Sequence, residues 1–213
     1  MWKQGDHVVI IGSTQSGKTG FARELLALRG HVIMLVTKRD DYLWTGFRTV
    51  RSQREINPLN GSKWRLWPTP EQMQRQFADA LLQVWIEKGW CIYLDELYRL
   101  EALHLQKPIE TLNTQGASER ITVVEGVQRP AHVTRTAMSE PRYAVSFQLG
   151  DGRDNDTVRE WRGREFATII KALPQYHWAC HDRVTGTIVT GTRGEAAQKI
   201  FDVRSTAGPA KVI

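Results

Sequence analysis

Residues 12–19 match the pattern G-x-x-x-x-G-K-[ST] at every fixed position, between an apolar run and a helix-like segment. Consecutive backbone N–H groups in such a loop point at phosphate oxygens, and the dipole of the following helix adds positive charge there. The pattern predicts a phosphate-binding loop made of Gly12, Ser13, Thr14, Gln15, Ser16, Gly17, Lys18 and Thr19. We expect Lys18 to reach the β- and γ-phosphates and the Thr19 hydroxyl to bind Mg²⁺.

A pair of carboxylates follows a second apolar run, at Asp95 and Glu96. Asp95 is the expected carboxylate on the Mg²⁺ side of the site, and Glu96 can orient or deprotonate an attacking water. This pair favours hydrolysis over phosphoryl transfer to a small acceptor. An alternative interpretation is that the two acids only end a strand and cap the next helix.

The elements that must position these residues are visible as apolar runs. Residues 7–11 and 31–36 are β-branched and nearly continuous, which is typical of strands buried on both faces, and residues 21–28 have helical spacing. A strand, a helix and a strand within about thirty residues form a βαβ unit, so the sheet is predicted to be parallel.

The rest of the chain continues the alternation of strands and helices. Further strands are predicted near 47–50 and 64–67, at 90–94, 121–125 and 143–149, with helices from 70 to Gly89, at about 100–112 and at 151–163. Two short runs at 176–180 and 187–189 predict a hairpin. The fold class is therefore α/β, with a mostly parallel central sheet flanked by helices and a small C-terminal hairpin. We expect one domain over 1–204 and a loose tail over 205–213.

The composition is that of an ordinary globular protein, with 41% hydrophobic and 24% charged residues among 213. Two cysteines exclude a disulfide scaffold, and no run approaches the roughly 18 apolar residues of a membrane helix. A net charge of +6 favours a polyanionic partner.

The sequence that follows the strand at 121–125 is the most specific motif. Residues 125–130 read Glu-Gly-Val-Gln-Arg-Pro, after a glycine-containing segment at 115–120. Together with the phosphate loop and the Asp-Glu pair, this sequence resembles the FtsK/HerA superfamily of ring-shaped, RecA-like P-loop ATPases, with matching features from about residue 6 to 160. The resemblance implies that Gln128 senses the γ-phosphate. Arg129 is either part of this switch or a structural partner of a nearby carboxylate.

The family's rings also use an arginine from the neighbouring subunit to stabilise charge on the transferring phosphate. The family often has arginine at the position of Ala117, so the assignment moves to Arg120, with Arg99 and Arg135 as alternatives. Lys38 stands where the family often has Asp-x-Lys, but the aspartate is missing and its role stays open.

Because the chain carries no extra domains, it looks most similar to the genome-packaging ATPases of membrane-containing and related icosahedral viruses. The resemblance implies a Mg²⁺-dependent ATPase that forms a homo-oligomer, a hexameric ring, and moves double-stranded DNA into a capsid. Its partners would be double-stranded DNA and a capsid vertex or viral membrane proteins, in the host cytoplasm or at a packaging vertex. The alternatives are another P-loop motor, of the filamentous-phage assembly or conjugative type, and an ATP-binding scaffold with little turnover.

DNA contacts are expected from basic side chains that grip the backbone without reading bases. The candidates are Arg48, Arg51, Arg54, Arg153, Arg159, Arg162 and Arg164.

Overall fold

The computed structural model describes residues 2–38, 44–57, 63–192 and 194–195. These residues form a nine-stranded sheet in the order β3-β4-β2-β5-β6-β1-β7-β8-β9. The strands from β3 to β7 in this order pair in parallel, and β7, β8 and β9 pair antiparallel. The α/β prediction and its C-terminal hairpin are confirmed, while the predicted tail at 205–213 lies outside the described residues.

The central strands are apolar and fully buried because helices and loops cover both faces of the sheet. The strands are β1 (Val8–Ile11), β2 (Val32–Leu35), β3 (Phe47–Val50), β4 (Lys63–Leu66), β5 (Cys91–Leu94), β6 (Thr122–Val127), β7 (Tyr143–Phe147), β8 (Trp178–Asp182) and β9 (Ile188–Gly191).

Seven α-helices accompany the sheet in the part of the chain that is described. They are α1 (Lys18–Ala27), α2 (Met73–Glu87), α3 (Leu97–Ala102), α4 (Gln106–Gln115), α5 (Arg135–Ser139), α6 (Gly152–Arg162) and α7 (Arg164–Lys171). The apolar side of α1 belongs to the core on one face of the sheet, and α2 to α7 contribute to the core on the other face.

The helical region after β5 differs from the single helix predicted at about 100–112. The structure has two helices, α3 and α4, because His104 between them takes a left-handed conformation with φ 60°. The short helices α5 and α7 were not predicted, and Gly163, with φ 90°, separates α7 from α6. Segments of five to eight residues carry too few turns for a clear helical period.

The order of the strands brings three chain segments together at one edge of the sheet. Strand β6 lies between β1 and β5, with Ile11 paired to Val127 and Leu94 paired to Glu125. The strand at 31–36, which separates the loop and the Asp-Glu pair in sequence, is β2 and lies beyond β5. The segments that follow β1, β5 and β6 therefore meet, and they are the three segments in which chemistry is predicted.

Arg142, just before β7, joins the segment before β1 to strand β8 through two salt bridges. Arg142 lies 3.4 Å from Asp6 and 2.8 Å from Asp182. Among the described helices, none has the length and apolar character needed to cross a membrane.

Candidate functional site

The predicted phosphate loop connects the end of β1 to the first residue of α1. The Gly12 amide donates to the Val127 carbonyl at 3.1 Å, which fixes the loop to β6. Gly17 precedes the helix with φ 113°, and a Cβ there would lie 3.0 Å from the Phe147 ring. Only glycine adopts this backbone without strain. No side chain caps α1, so the amides of its first turn are left for a ligand.

The interior of this loop fits a bound anion. The Ser16 hydroxyl is buried and has no hydrogen-bond partner in the described structure. The Lys18 ammonium donates to the carbonyls of Gly12 at 2.6 Å and Ser13 at 2.7 Å, and so folds over the loop. Burial lowers the pKa of Lys18 to about 8, and the charges of Asp95 and Glu96 act against this shift. A phosphate would accept a hydrogen bond from the hydroxyl and favour the charged form of the lysine.

A cavity of about 280 Å³ opens beside the loop. It is lined by Gln15, Ser16, Gly17, Lys18, Thr19, Gly20, Arg23 and Tyr176. Tyr176 is 47% exposed and takes a left-handed backbone with φ 62° in the segment before β8. Tyr176 and Arg23 were not predicted as site residues, because nothing in the local sequence links either to the loop.

The Asp-Glu pair lies at the end of β5. The Tyr93 hydroxyl donates to Asp95 Oδ1 at 3.1 Å, and the Asp95 amide donates to the Leu35 carbonyl at 3.3 Å. Glu96 takes a left-handed conformation with φ 55° at the start of α3. Because of this turn the two consecutive carboxylates have different partners: Asp95 accepts from Tyr93, and Glu96 contacts Lys38, Gln128 and Arg99.

The Glu96 carboxylate is surrounded by three nitrogen-bearing side chains and is only 11% exposed. Its Oε1 accepts hydrogen bonds from the Lys38 ammonium and the Gln128 amide. The Arg99 Nε lies 2.9 Å from Oε2 in an ion pair. Lys38, whose role the sequence left open, is thus a direct partner of Glu96.

Gln128 connects this carboxylate to the phosphate loop. The amide nitrogen of Gln128 bonds Glu96, and its amide oxygen accepts from the Thr14 hydroxyl at 3.3 Å. The residue follows β6 directly, and β6 lies between β1 and β5. An uncharged amide with one bond to each side can change partners when a phosphate binds or leaves.

The candidate arginines lie in different places. Arg120 is exposed just before the first residue of β6, whereas the phosphate loop lies near the last one. The length of the strand therefore separates Arg120 from the loop by about 20 Å. Arg99 contacts Glu96, and Arg135 stacks on the Trp161 ring with its guanidinium carbon 4.6 Å from the centroid. Within one chain, only Arg99 of these three lies at the site.

Two of the other arginines have structural partners. Arg129 pairs with Asp154 at 2.8 Å and Asp151 at 3.2 Å, in agreement with the structural alternative for this residue. Arg162 is buried and donates to the carbonyls of Met138 and Pro141, both at 2.8 Å. The expectation that Arg162 contacts DNA is wrong, because its side chain does not reach the surface.

A second cavity, of about 380 Å³, lies beside the Glu96 cluster. It is lined by Lys38, Glu96, Tyr98, Arg99, Gln128, Arg129 and His132. Three of these side chains, Lys38, Arg99 and Arg129, are positively charged and one, Glu96, is negatively charged, so the lining is cationic.

The comparison with protein-family models gave no match. In sequence, the chain is 28% identical over 169 residues to the DNA packaging ATPase P9 of Enterobacteria phage PRD1, an alignment that spans 78% of this chain and 74% of the phage protein.

Solved structures with the same fold include the genome packaging NTPase B204 of Sulfolobus turreted icosahedral virus 2 in complex with AMP. The TM-score is 0.71 at 16% identity, over 88% of this chain and 96% of B204. The cytoplasmic domain of the type VII secretion ATPase EccC of Thermomonospora curvata has a TM-score of 0.60 at 14% identity, over 90% of this chain and 25% of EccC. The chain is thus related in sequence to a phage packaging ATPase and has the fold of B204 and of the cytoplasmic domain of EccC, which confirms the resemblance inferred from the motifs.

Proposed function

We propose that this relative of the viral packaging ATPases binds ATP with Mg²⁺ at the phosphate loop, hydrolyses it, and uses the cycle to drive double-stranded DNA into a capsid. The observation that carries the proposal is the chain of contacts from Thr14 of the loop through Gln128 to Glu96. It links the place where the γ-phosphate would bind to the carboxylate that would activate water. The names of the phage relative and of B204 support packaging as the purpose of the cycle.

Nucleotide binding would use the loop, Lys18 and the neighbouring cavity. The loop amides and the Ser16 hydroxyl would donate to phosphate oxygens, and the Lys18 ammonium would leave the loop carbonyls for the outer phosphates. The exposed ring of Tyr176 lines the same cavity and offers a surface on which the adenine base can stack.

The residues at the site also fit a magnesium ion. Mg²⁺ prefers oxygen ligands and is usually held by one or two protein groups together with phosphates and waters. Thr19 lines the phosphate cavity, and Asp95 is oriented by Tyr93 at the end of a neighbouring strand. When bound, the ion would neutralise charge on the β- and γ-phosphates.

Water activation would be the role of Glu96. Its Oε1 is engaged by Lys38 and Gln128 and its Oε2 is buried beside Arg99, so water reaches the carboxylate only after at least one of these contacts opens. The γ-phosphate offers acceptors to both donors, so ATP binding itself can release the carboxylate. Gln128 would then report the presence of the γ-phosphate through its bond to Thr14.

Translocation is the part of the proposal that needs more than one chain. We propose a homo-oligomeric ring, hexameric as in the family it resembles, with an arginine such as Arg120 supplied to a neighbour's site. DNA would be gripped through its backbone by exposed basic residues, which include Arg48, Arg54 and Arg153. The working place would be the host cytoplasm or a packaging vertex, with capsid or viral membrane proteins as partners.

Hydrolysis is tested with Glu96→Gln beside Glu160→Gln, the same change at an exposed position of α6. We expect Glu96→Gln to bind ATP as the parent does and to lose about 10²-fold or more of the turnover, because a general base contributes that much. Glu160→Gln should match the parent. If the parent binds ATP but shows no turnover with Mg²⁺, the chain is an ATP-binding scaffold and the proposal fails.

A further inference from the structure

The cationic cavity of about 380 Å³ meets the phosphate loop at the side chain of Gln128. Gln128 and Glu96 line this cavity, whereas residues 15–19 of the loop line the cavity of about 280 Å³. Gln128 nevertheless bonds Thr14 of the loop. A γ-phosphate cleaved at the loop would therefore have the cationic cavity on the other side of the Gln128 side chain.

The charges in this cavity select an anion. Among the described residues that line the cavity, Lys38 and Arg99 both pair with the carboxylate of Glu96. Arg129 forms ion pairs with Asp151 and Asp154, which do not line the cavity. The side chains of Lys38 and Arg99 are 40% and 55% exposed, so both have donors left for a ligand. An arginine from a neighbouring subunit would be repelled here, because like charges at close range in a partly buried site destabilise each other.

We propose that this cavity binds the inorganic phosphate produced by hydrolysis and is its way out, an inference that rests on the proposed function. In that reaction the oxygen of water bonds to the γ-phosphorus. The bond to the β,γ-bridging oxygen breaks with its electron pair passing to ADP, and the proton of water passes through Glu96 to the phosphate. ADP still fills the loop, so the phosphate leaves on the side of Gln128 once the Thr14 bond opens.

Occupation of the cavity would also act on Glu96. A phosphate would take donors from Lys38 and Arg99, which both hold this carboxylate in the absence of a ligand. The carboxylate would regain these partners only when the phosphate has gone. Phosphate release and the resetting of the site would thus be one event.

The site is tested by the binding of radioactive inorganic phosphate to the full chain saturated with AMPPCP and Mg²⁺. The analogue fills the γ-phosphate position, so any phosphate bound must lie elsewhere. We expect one phosphate per chain, with affinity about tenfold weaker in Arg99→Gln, since a charge-assisted hydrogen bond is lost. Arg75→Gln is the matched control, because Arg75 is also an exposed arginine that pairs with an acid close by in sequence, Asp79.

Each failure has a distinct meaning because AMPPCP occupancy is measured in the same samples. Full occupancy without bound phosphate would overturn the cavity assignment and leave the proposed function standing. Equal phosphate affinity in Arg99→Gln and Arg75→Gln would overturn it too. Displacement of the phosphate by a short DNA duplex would show that the cavity takes the nucleic-acid backbone instead. Failure to bind AMPPCP at all would remove the proposed function, and the inference with it.

Discussion

The side chains at the site hold one another in a resting arrangement. Lys18 bonds carbonyls of its own loop, and Glu96 is engaged by Lys38, Gln128 and Arg99. Each of these nitrogen donors can also bond a phosphate oxygen. Binding of ATP would therefore replace these hydrogen bonds with bonds to phosphate, made by side chains that are already in place.

The titration of Lys18 gives a test of this exchange. Its pKa is about 8 in the free chain, so it loses its charge as the pH rises above that value. Bound triphosphate favours the charged form and raises this pKa. We expect ATP affinity to be full below about pH 8 and to weaken above it, with uptake of close to one proton on binding at about pH 9.

Calorimetric titration in two buffers of different ionisation enthalpy measures this uptake. ATP carries no exchangeable phosphate proton at this pH, so the signal reports on the protein. Lys18→Arg, which stays charged, should show none. A parent chain that binds ATP at about pH 9 without taking up a proton would contradict the assignment.

Tyr176 offers a second test at the scale of one residue. Tyr176→Ala should weaken ATP binding by about tenfold or more, because stacking of a base on an aromatic ring contributes about 1–3 kcal/mol. Tyr176→Phe keeps the ring and should bind ATP like the parent. Inorganic tripolyphosphate has no base, so its affinity should be the same in all three proteins. Equal loss for ATP and tripolyphosphate would mean that Tyr176 supports the loop and does not contact the base.

Strand β6 is the element that connects the site to the core. Gln128 follows its last residue, and the strand carries Glu125 on the face covered by α4, where Asn113 donates to Glu125 Oε1 at 2.8 Å. Burial raises the pKa of Glu125 to about 8, from an ordinary value of 4.5. The carboxyl is therefore neutral in the folded protein at neutral pH.

The burial of Glu125 predicts that the free energy of unfolding depends on pH. Between about pH 5 and 8 Glu125 ionises only in the unfolded chain, so the parent loses stability as the pH rises, by at most about 1.4 kcal/mol per pH unit. Glu125→Gln keeps an acceptor for Asn113 and should remove this loss, so it should be the more stable protein at about pH 7.5. Urea unfolding across this range measures both, with Glu160→Gln as the control. Parallel profiles for parent and Glu125→Gln would contradict the prediction.

The elements themselves were largely predictable because they are strands buried on both faces. After an initial histidine, the runs at 7–11 and 31–36 contain only apolar residues, and they became β1 and β2. The break between α3 and α4 was not predictable, since His104 adopts positive φ without any glycine or proline to mark it.

The sequence could predict that the phosphate loop, the Asp-Glu pair and Gln128 lie together, because each follows a recognisable strand of the parallel sheet. The partnership of Lys38 with Glu96 spans 58 residues, and the approach of Tyr176 to the loop spans even more. Such contacts depend on the order of strands in the sheet, which local patterns do not contain.

At the scale of the whole molecule, the proposed role of Arg120 would need a second copy of the chain. It lies at the edge of the sheet opposite the phosphate loop, so it can serve a nucleotide only in a neighbouring subunit. A head-to-tail arrangement of subunits, which closes into a ring, places opposite surfaces in contact.

Mixing two inactive variants tests this arrangement. Arg120→Ala and Lys18→Ala should each lose turnover, the first in its neighbour's site and the second in its own. After subunit exchange in an equal mixture, about a quarter of the sites would combine an intact lysine with a neighbour's intact arginine and regain activity. Arg75→Ala, at an exposed position of α2, should keep parental turnover by itself. Full turnover of Arg120→Ala alone would exclude the residue and leave Arg99 and Arg135 as candidates.

The most direct test of a DNA motor is ATP turnover, measured as phosphate release with Mg²⁺, in the presence and absence of linear duplex DNA. We expect duplex DNA to raise turnover at about 50 mM salt, less so at about 200 mM because backbone contacts are salt-sensitive, and not at all in Glu96→Gln. Single-stranded DNA of equal length serves as the comparison and should stimulate less. Turnover that is the same with and without duplex DNA at both salt concentrations would contradict the account of this chain as a motor driven on double-stranded DNA.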